Sequence, residues 1–125
     1  MRIGVDLLSI SRFSRVAGHP RCRTLVFTDA ELAEADGLSG ERRAERLAGR
    51  FCAKEATAKV LGRGAGAGAR VAGHRDHRGP LGAPEVTLRG GARRIAEEAG
   101  IGRIEMSLTH HGDLVVCVAA APASA

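Results

Sequence analysis

Three phenylalanines are the only aromatic residues in this chain of 125, which has no Trp and no Tyr. A core without large flat side chains has to be assembled from small aliphatic ones, and 17 glycines thin it further. Such a core buries little surface per residue, and burying a subunit interface adds to it. A homo-oligomer is therefore expected. The length fits one compact domain over residues 1–125 and leaves no room for a separate cofactor-binding half. With 44% hydrophobic and 26% charged residues, disordered and fibrous classes are excluded.

Charge narrows the partners. The formal net charge of +5 points to an anion: nucleic acid, an acidic protein or a polyphosphate. The Arg residues carry no interleaved aromatics, so base stacking has little to work with, and an acidic protein is the sharper expectation. Only two of the 19 basic residues are lysines, Lys54 and Lys59, and they flank Glu55. An ammonium is a compact point charge suited to phosphate, whereas Arg is a flat fork; drift in composition is the plain alternative. Cys22, Cys52 and Cys117 form no paired framework, which suits a reducing cytoplasm. His74 and His77 lack a matching Cys pair and do not make a zinc site. The apolar run of MRIGVDLLSI is too short for a signal peptide, and no membrane helix is expected.

Along the chain, residues 2–10 read as a buried strand, because Ile3, Val5 and Leu7 alternate with Gly4, Asp6 and Leu8 and both faces are largely apolar. A short basic helix over Ser11–Val16 is closed by His19-Pro20. Thr28 and Glu31 form a capping box that opens a helix over Asp29–Asp36, with Phe27 stapled to Leu32. From Glu41 to Leu61, Ala44, Leu47, Ala48 and Phe51 recur at helical spacing, and Gly62 ends the helix. At 100° per residue Glu55 falls about 20° from Ala44, in the middle of the apolar stripe. Residues 62–84 have no period and read as a long connection with a weak strand near Arg70–Ala72. Its glycines do not form a nucleotide loop, since a helix precedes them and none follows. A strand over Pro84–Leu88, a helix over Gly91–Ala99, and strands over Ile104–Thr109 and Leu114–Ala120 complete the order, the last two joined at His110-His111-Gly112-Asp113. The result is an α+β domain with helices on a small, mainly antiparallel sheet.

Two carboxylates stand where packing alone would not put them: Asp6 in an apolar strand and Glu55 on the core side of a helix. A lone buried carboxylate costs several kcal/mol unless paired or bound to a cation. A magnesium site completed by water and phosphate would account for both. So would ion pairs, from Glu55 to Lys59 at i,i+4 and from Asp6 to a nearby Arg. His110 and His111 either bind phosphate or are ordinary turn residues.

GVDLLSISRF, LAGRFCAKEATAKVLG and SLTHHGD, in this order, resemble the holo-acyl-carrier-protein synthase group of 4'-phosphopantetheinyl transferases. Gly82-Ala83-Pro84 is similar to the short Gly-x-Pro element of that group. The resemblance implies transfer of phosphopantetheine from coenzyme A to a serine of an acidic apo acyl carrier protein, in fatty-acid or related synthesis, with adenosine 3',5'-bisphosphate released. It implies that Asp6 and Glu55 hold Mg²⁺ against the pyrophosphate, that Lys59 contacts phosphate, and that Glu55 helps remove the serine proton. Arg50 and His110 would bind the coenzyme A phosphates, and Arg12 would dock the carrier. Trimers with sites between subunits are implied as well. Ser9 departs from a common Glu and Cys52 from a common Ala, and family contacts do not carry over to Arg63–Gly79. The reading from a different class is a non-catalytic basic module that binds an acidic protein or nucleic acid.

Overall fold

The computed structural model describes residues 1–21, 26–62, 75–78 and 84–122. Cys22, the weak strand expected at Arg70–Ala72, the glycine run beyond Gly62, His74 and the Gly82-Ala83 step lie outside them.

Helix α3 (Gly40–Val60) is the spine, within a residue of the span its apolar period sets. It lies across a three-stranded antiparallel sheet of order β1-β5-β4, formed by β1 (Arg2–Ser9), β4 (Glu105–His111) and β5 (Leu114–Ala121). Ala48, Cys52, Ala53 and Ala56 of α3 and Cys117 and Ala119 of β5 have no exposed surface at all, so small side chains allow helix and sheet to approach closely. The three aromatic rings meet at one end. Phe13 stacks on Phe51 at 4.8 Å and meets Phe27 edge-on at 6.1 Å, which ties α1 (Ile10–Ala17) and the start of α2 (Asp29–Asp36) to α3. Thr28 caps α2 with the reciprocal bonds expected of a capping box. Helix α4 (Gly90–Glu98) buries Ala92 and Ala96.

Three expectations change. Residues 75–78 are not connection but strand β2, paired antiparallel with β3 (Pro84–Thr87) in a separate two-stranded sheet. Arg75-Asp76-His77-Arg78 has no apolar alternation to announce a strand; its pairing with β3 makes it one. His110 and His111 belong to β4 itself, and the turn is the pair Gly112-Asp113, with Gly112 at φ 58°. Strand β1 is an edge strand and is buried on one face only. Gly4, Asp6 and Leu8 face α3, whereas Ile3, Val5 and Leu7 are 63%, 52% and 62% exposed. No helix among the described residues is long and apolar enough to cross a membrane.

Candidate active site

The site begins with the absence of a side chain. A Cβ on Gly4 would collide with the backbone carbonyl oxygen of Ala56, so only glycine lets β1 run this close to α3. Two residues on, Asp6 turns the same way and brings its carboxylate to the helix with its side chain 15% exposed. The thiol of Cys52 donates to the Asp6 carbonyl at 3.3 Å. Burial, the nearby Asp6 charge and hydrogen bonding push that thiol far above its ordinary pKa, so it is a packing group and not a nucleophile. Lys59, one turn beyond Glu55, extends its Nζ to the Val5 carbonyl at 2.7 Å and to Asp6 Oδ1 at 3.2 Å. Glu55 is half-buried beside them. Burial foremost, then the charge of Asp6, raises its pKa, and Lys59 opposes both.

Asp6, Glu55 and Lys59 are therefore one electrostatic cluster. The ion-pair alternative is half realised: Asp6 has a basic partner, but it is Lys59 instead of an Arg. Two carboxylates in one half-buried field still outnumber the single ammonium. Among the described residues no group of three or more His, Cys, Asp and Glu side chains could hold a metal. A cation at this point would take two protein carboxylates and draw its other ligands from water and a bound phosphate. An all-oxygen, incomplete donor set of this kind suits Mg²⁺ and does not suit zinc.

His110 stands on the same face of the sheet as Asp6. Register pairs Asp6 and Leu108 with Cys117, and Leu8 and His110 with Val115. With strands about 4.8 Å apart, His110 is about 10 Å across the sheet from β1 and one step further along. It is exposed and separate from the carboxylates, at a distance that an extended ligand would span.

Arg50 and Lys54 do not join this cluster. Both are buried on another side of α3 and face α2. Lys54 Nζ donates to Glu31 Oε1 at 2.6 Å and to the Val26 carbonyl at 2.8 Å, 5.7 Å from the centre of the Phe27 ring. Arg50 Nη2 donates to Glu34 Oε2 at 2.6 Å, and its Nη1 lies 4.0 Å from Glu31. The grouping of both lysines around Glu55 is therefore not what the structure shows, and Arg50 likewise lies away from the carboxylate cluster. Only Lys59 faces the carboxylate cluster, because charged side chains that are almost fully buried must first satisfy one another. The sequence carried a sign of this: at 100° per residue Lys54 falls about 20° from Leu47, on the apolar stripe.

The comparisons decide the family. Residues 2–119 match the model of the 4'-phosphopantetheinyl transferase superfamily. The chain belongs to this superfamily. A holo-[acyl-carrier-protein] synthase of Moorella thermoacetica is 41% identical over 113 residues, covering 88% of this chain and 84% of its own. The crystal structure of the holo-[acyl-carrier-protein] synthase of Neisseria meningitidis superposes with a TM-score of 0.84 at 28% identity, over 97% of both chains. A Chronobacterium ammoniagenes ACPS–CoA complex superposes with a TM-score of 0.76 at 28% identity, over 94% of this chain and 93% of that one. The chain is accordingly an enzyme, a phosphopantetheinyl transferase.

Within that superfamily the departures at Ser9 and Cys52 acquire structural roles. Cys52 packs at 0% exposure where a small residue is required. Ser9 is the N-cap of α1, its Oγ accepting from the Arg12 N–H at 3.3 Å and donating to Asp113 Oδ2 at 2.5 Å. Asp113 also accepts from the Ser11 N–H at 2.9 Å and the Ser11 hydroxyl at 2.7 Å, and these bonds hold its carboxyl below the ordinary range. The knot joins the β4–β5 turn, next to His110, to the helix that carries the exposed Arg12. Nothing in the sequence linked Ser9 to Asp113, which lie 104 positions apart.

Proposed function

We propose that the protein transfers the 4'-phosphopantetheine group of coenzyme A to a serine of an acidic apo acyl carrier protein and depends on Mg²⁺ to do so. The observation that carries the reading is the Asp6–Glu55–Lys59 cluster in a chain of this superfamily. Asp6 and Glu55 hold Mg²⁺, which supplies charge neutralisation at the pyrophosphate. Glu55, directly or through one water, takes the serine proton. As the serine oxygen bonds to phosphorus, the bond from that phosphorus to the bridging pyrophosphate oxygen breaks, and adenosine 3',5'-bisphosphate leaves with the electron pair. Lys59 stabilises the negative charge that develops there. His110 contacts the nucleotide phosphates from across the sheet, and Arg12 on α1 meets the acidic carrier. Opposite charges there favour fast encounter in a transient complex. Arg50 serves the site by bracing α2 against α3.

The open face of the sheet supports assembly into a homotrimer. Ile3, Val5 and Leu7 of β1 lie beside Leu114 and Val118 of β5, which are 50% and 40% exposed. A contiguous apolar face of this kind marks an interface. The buried thiols Cys52 and Cys117 are in keeping with action in the cytoplasm.

The test is mass spectrometry of an apo carrier protein after incubation with the enzyme, coenzyme A and Mg²⁺. The carrier should gain one phosphopantetheine with the wild type and none with Asp6→Ala or Glu55→Ala, both still folded by circular dichroism. No gain with any of several carriers would favour a binding module over an enzyme.

A further inference from the structure

Two lysines five positions apart on α3 have opposite freedom. Lys54 is locked, its side chain 3% exposed and bonded to a carboxylate that is itself 2% exposed. Lys59 is 48% exposed, its stem is flexible, and its ammonium rests against Asp6 Oδ1, on the carboxylate that would help hold a cation between Asp6 and Glu55. The second donor contact of Lys59, to the Val5 carbonyl, holds the ammonium beside β1.

We propose that Lys59 is the resident counter-ion of Asp6 in the metal-free enzyme and competes with the divalent cation for that carboxylate. The inference rests on the Mg²⁺-dependent reading above. A cation arriving at Asp6 places two like charges on one carboxylate, so each weakens the other's hold on it. A bound pyrophosphate gives the ammonium another anionic partner. Cation and coenzyme A therefore bind cooperatively, each tightening the other by the same factor. An ion pair this exposed is modest, so the competition amounts to roughly two- to fivefold in affinity.

The experiment is direct binding of Mn²⁺, followed by electron paramagnetic resonance or calorimetry, to wild type, Lys59→Met, Lys59→Gln and Asp6→Ala. Each is measured with and without coenzyme A, and Mn²⁺ held by coenzyme A alone is subtracted. Without coenzyme A, both Lys59 variants should bind Mn²⁺ about two- to fivefold more tightly than wild type, and coenzyme A should tighten their binding less. Lys59→Gln retains an N–H donor for the Val5 carbonyl, so tightening in that variant alone also supports competition. Equal or weaker binding in both variants, with Asp6→Ala abolishing it, overturns the role of Lys59 and leaves the metal site standing. Binding that is insensitive to Asp6→Ala, or absent from every protein with and without coenzyme A, overturns the metal site itself.

Discussion

Gly4→Ala is the smallest change that should damage both fold and site. Its added Cβ would overlap the Ala56 carbonyl oxygen and come within 3.0 Å of Lys59 Cβ and of the Val60 nitrogen. Two of those three atoms are helix backbone and cannot swing aside, so β1 must retreat from α3. All eight residues of β1 are in register with β5, so the strand moves as a unit and takes Asp6 with it. Overpacking of this kind costs about 3 kcal/mol, the upper part of its usual range. For a domain of this size the corresponding fall in Tm is about 10 °C. Turnover should fall about 100-fold, the usual consequence of an ångström-scale misplacement of a reacting group. Two controls isolate the cause. At Gly49 the new Cβ would meet only the tip of Leu108 at 3.5 Å, and at Gly91 it would meet nothing; alanine there should be neutral or stabilise by up to about 1 kcal/mol through helix propensity. Thermal melts and the carrier-modification assay across the three variants decide the matter. Gly4→Ala melting within about 2 °C of wild type with full turnover would refute the close-approach argument.

Lys54→Met should lose about 3 kcal/mol because it leaves the buried Glu31 carboxylate with only the more distant Arg50 as a charged partner, and adding Glu31→Gln should recover part of that loss; strictly additive losses in chemical denaturation would show the pair is not coupled. Asp113→Asn should lower the Tm at neutral pH. Because the folded-state pKa of Asp113 lies below 3.8, its stabilisation is present above that pH and lost as pH falls through the folded value, so the two melting curves should converge under acid; a constant gap would exclude the carboxylate as its source. The proposed trimer predicts a wild type that sediments at about three chain masses, and Leu7→Asp should release monomers in sedimentation equilibrium, since it places a charge on the apolar open face; an unchanged mass would remove that face from the interface.

What could be read from the sequence was local. The capping box at Thr28 and Glu31 set the start of α2, and the apolar period set α3, because both signals lie within a few residues of the element they specify. The misplaced carboxylates were visible for the same reason: each violates the pattern of its own strand or helix. Strand β1 misled because apolar residues occupy both of its faces, which in an isolated chain means burial on both sides. The structure covers one and leaves the other open, with Ile3, Val5 and Leu7 exposed. Pairings across 16, 23 and 104 positions, Arg50 with Glu34, Lys54 with Glu31 and Ser9 with Asp113, leave no periodic trace.

The same chemistry, an ammonium beside a carboxylate, does two different things on one helix, and burial decides which. The Lys54–Glu31 pair is shut away from water, where removing one member leaves an uncompensated charge costing about 3–5 kcal/mol. Such a pair cannot exchange partners during a reaction, and it holds α2 in place. The Lys59–Asp6 pair is open on the lysine side, and pairs so exposed are worth at most about 1 kcal/mol. Its members can therefore be given up to other ions without threatening the fold. A phosphoryl-transfer site requires that property, since its charges must rearrange when a polyanion binds and again when the products leave. On the proposed mechanism, the lysine adjacent to Glu55 in sequence contributes rigidity, and the lysine one turn away contributes chemistry.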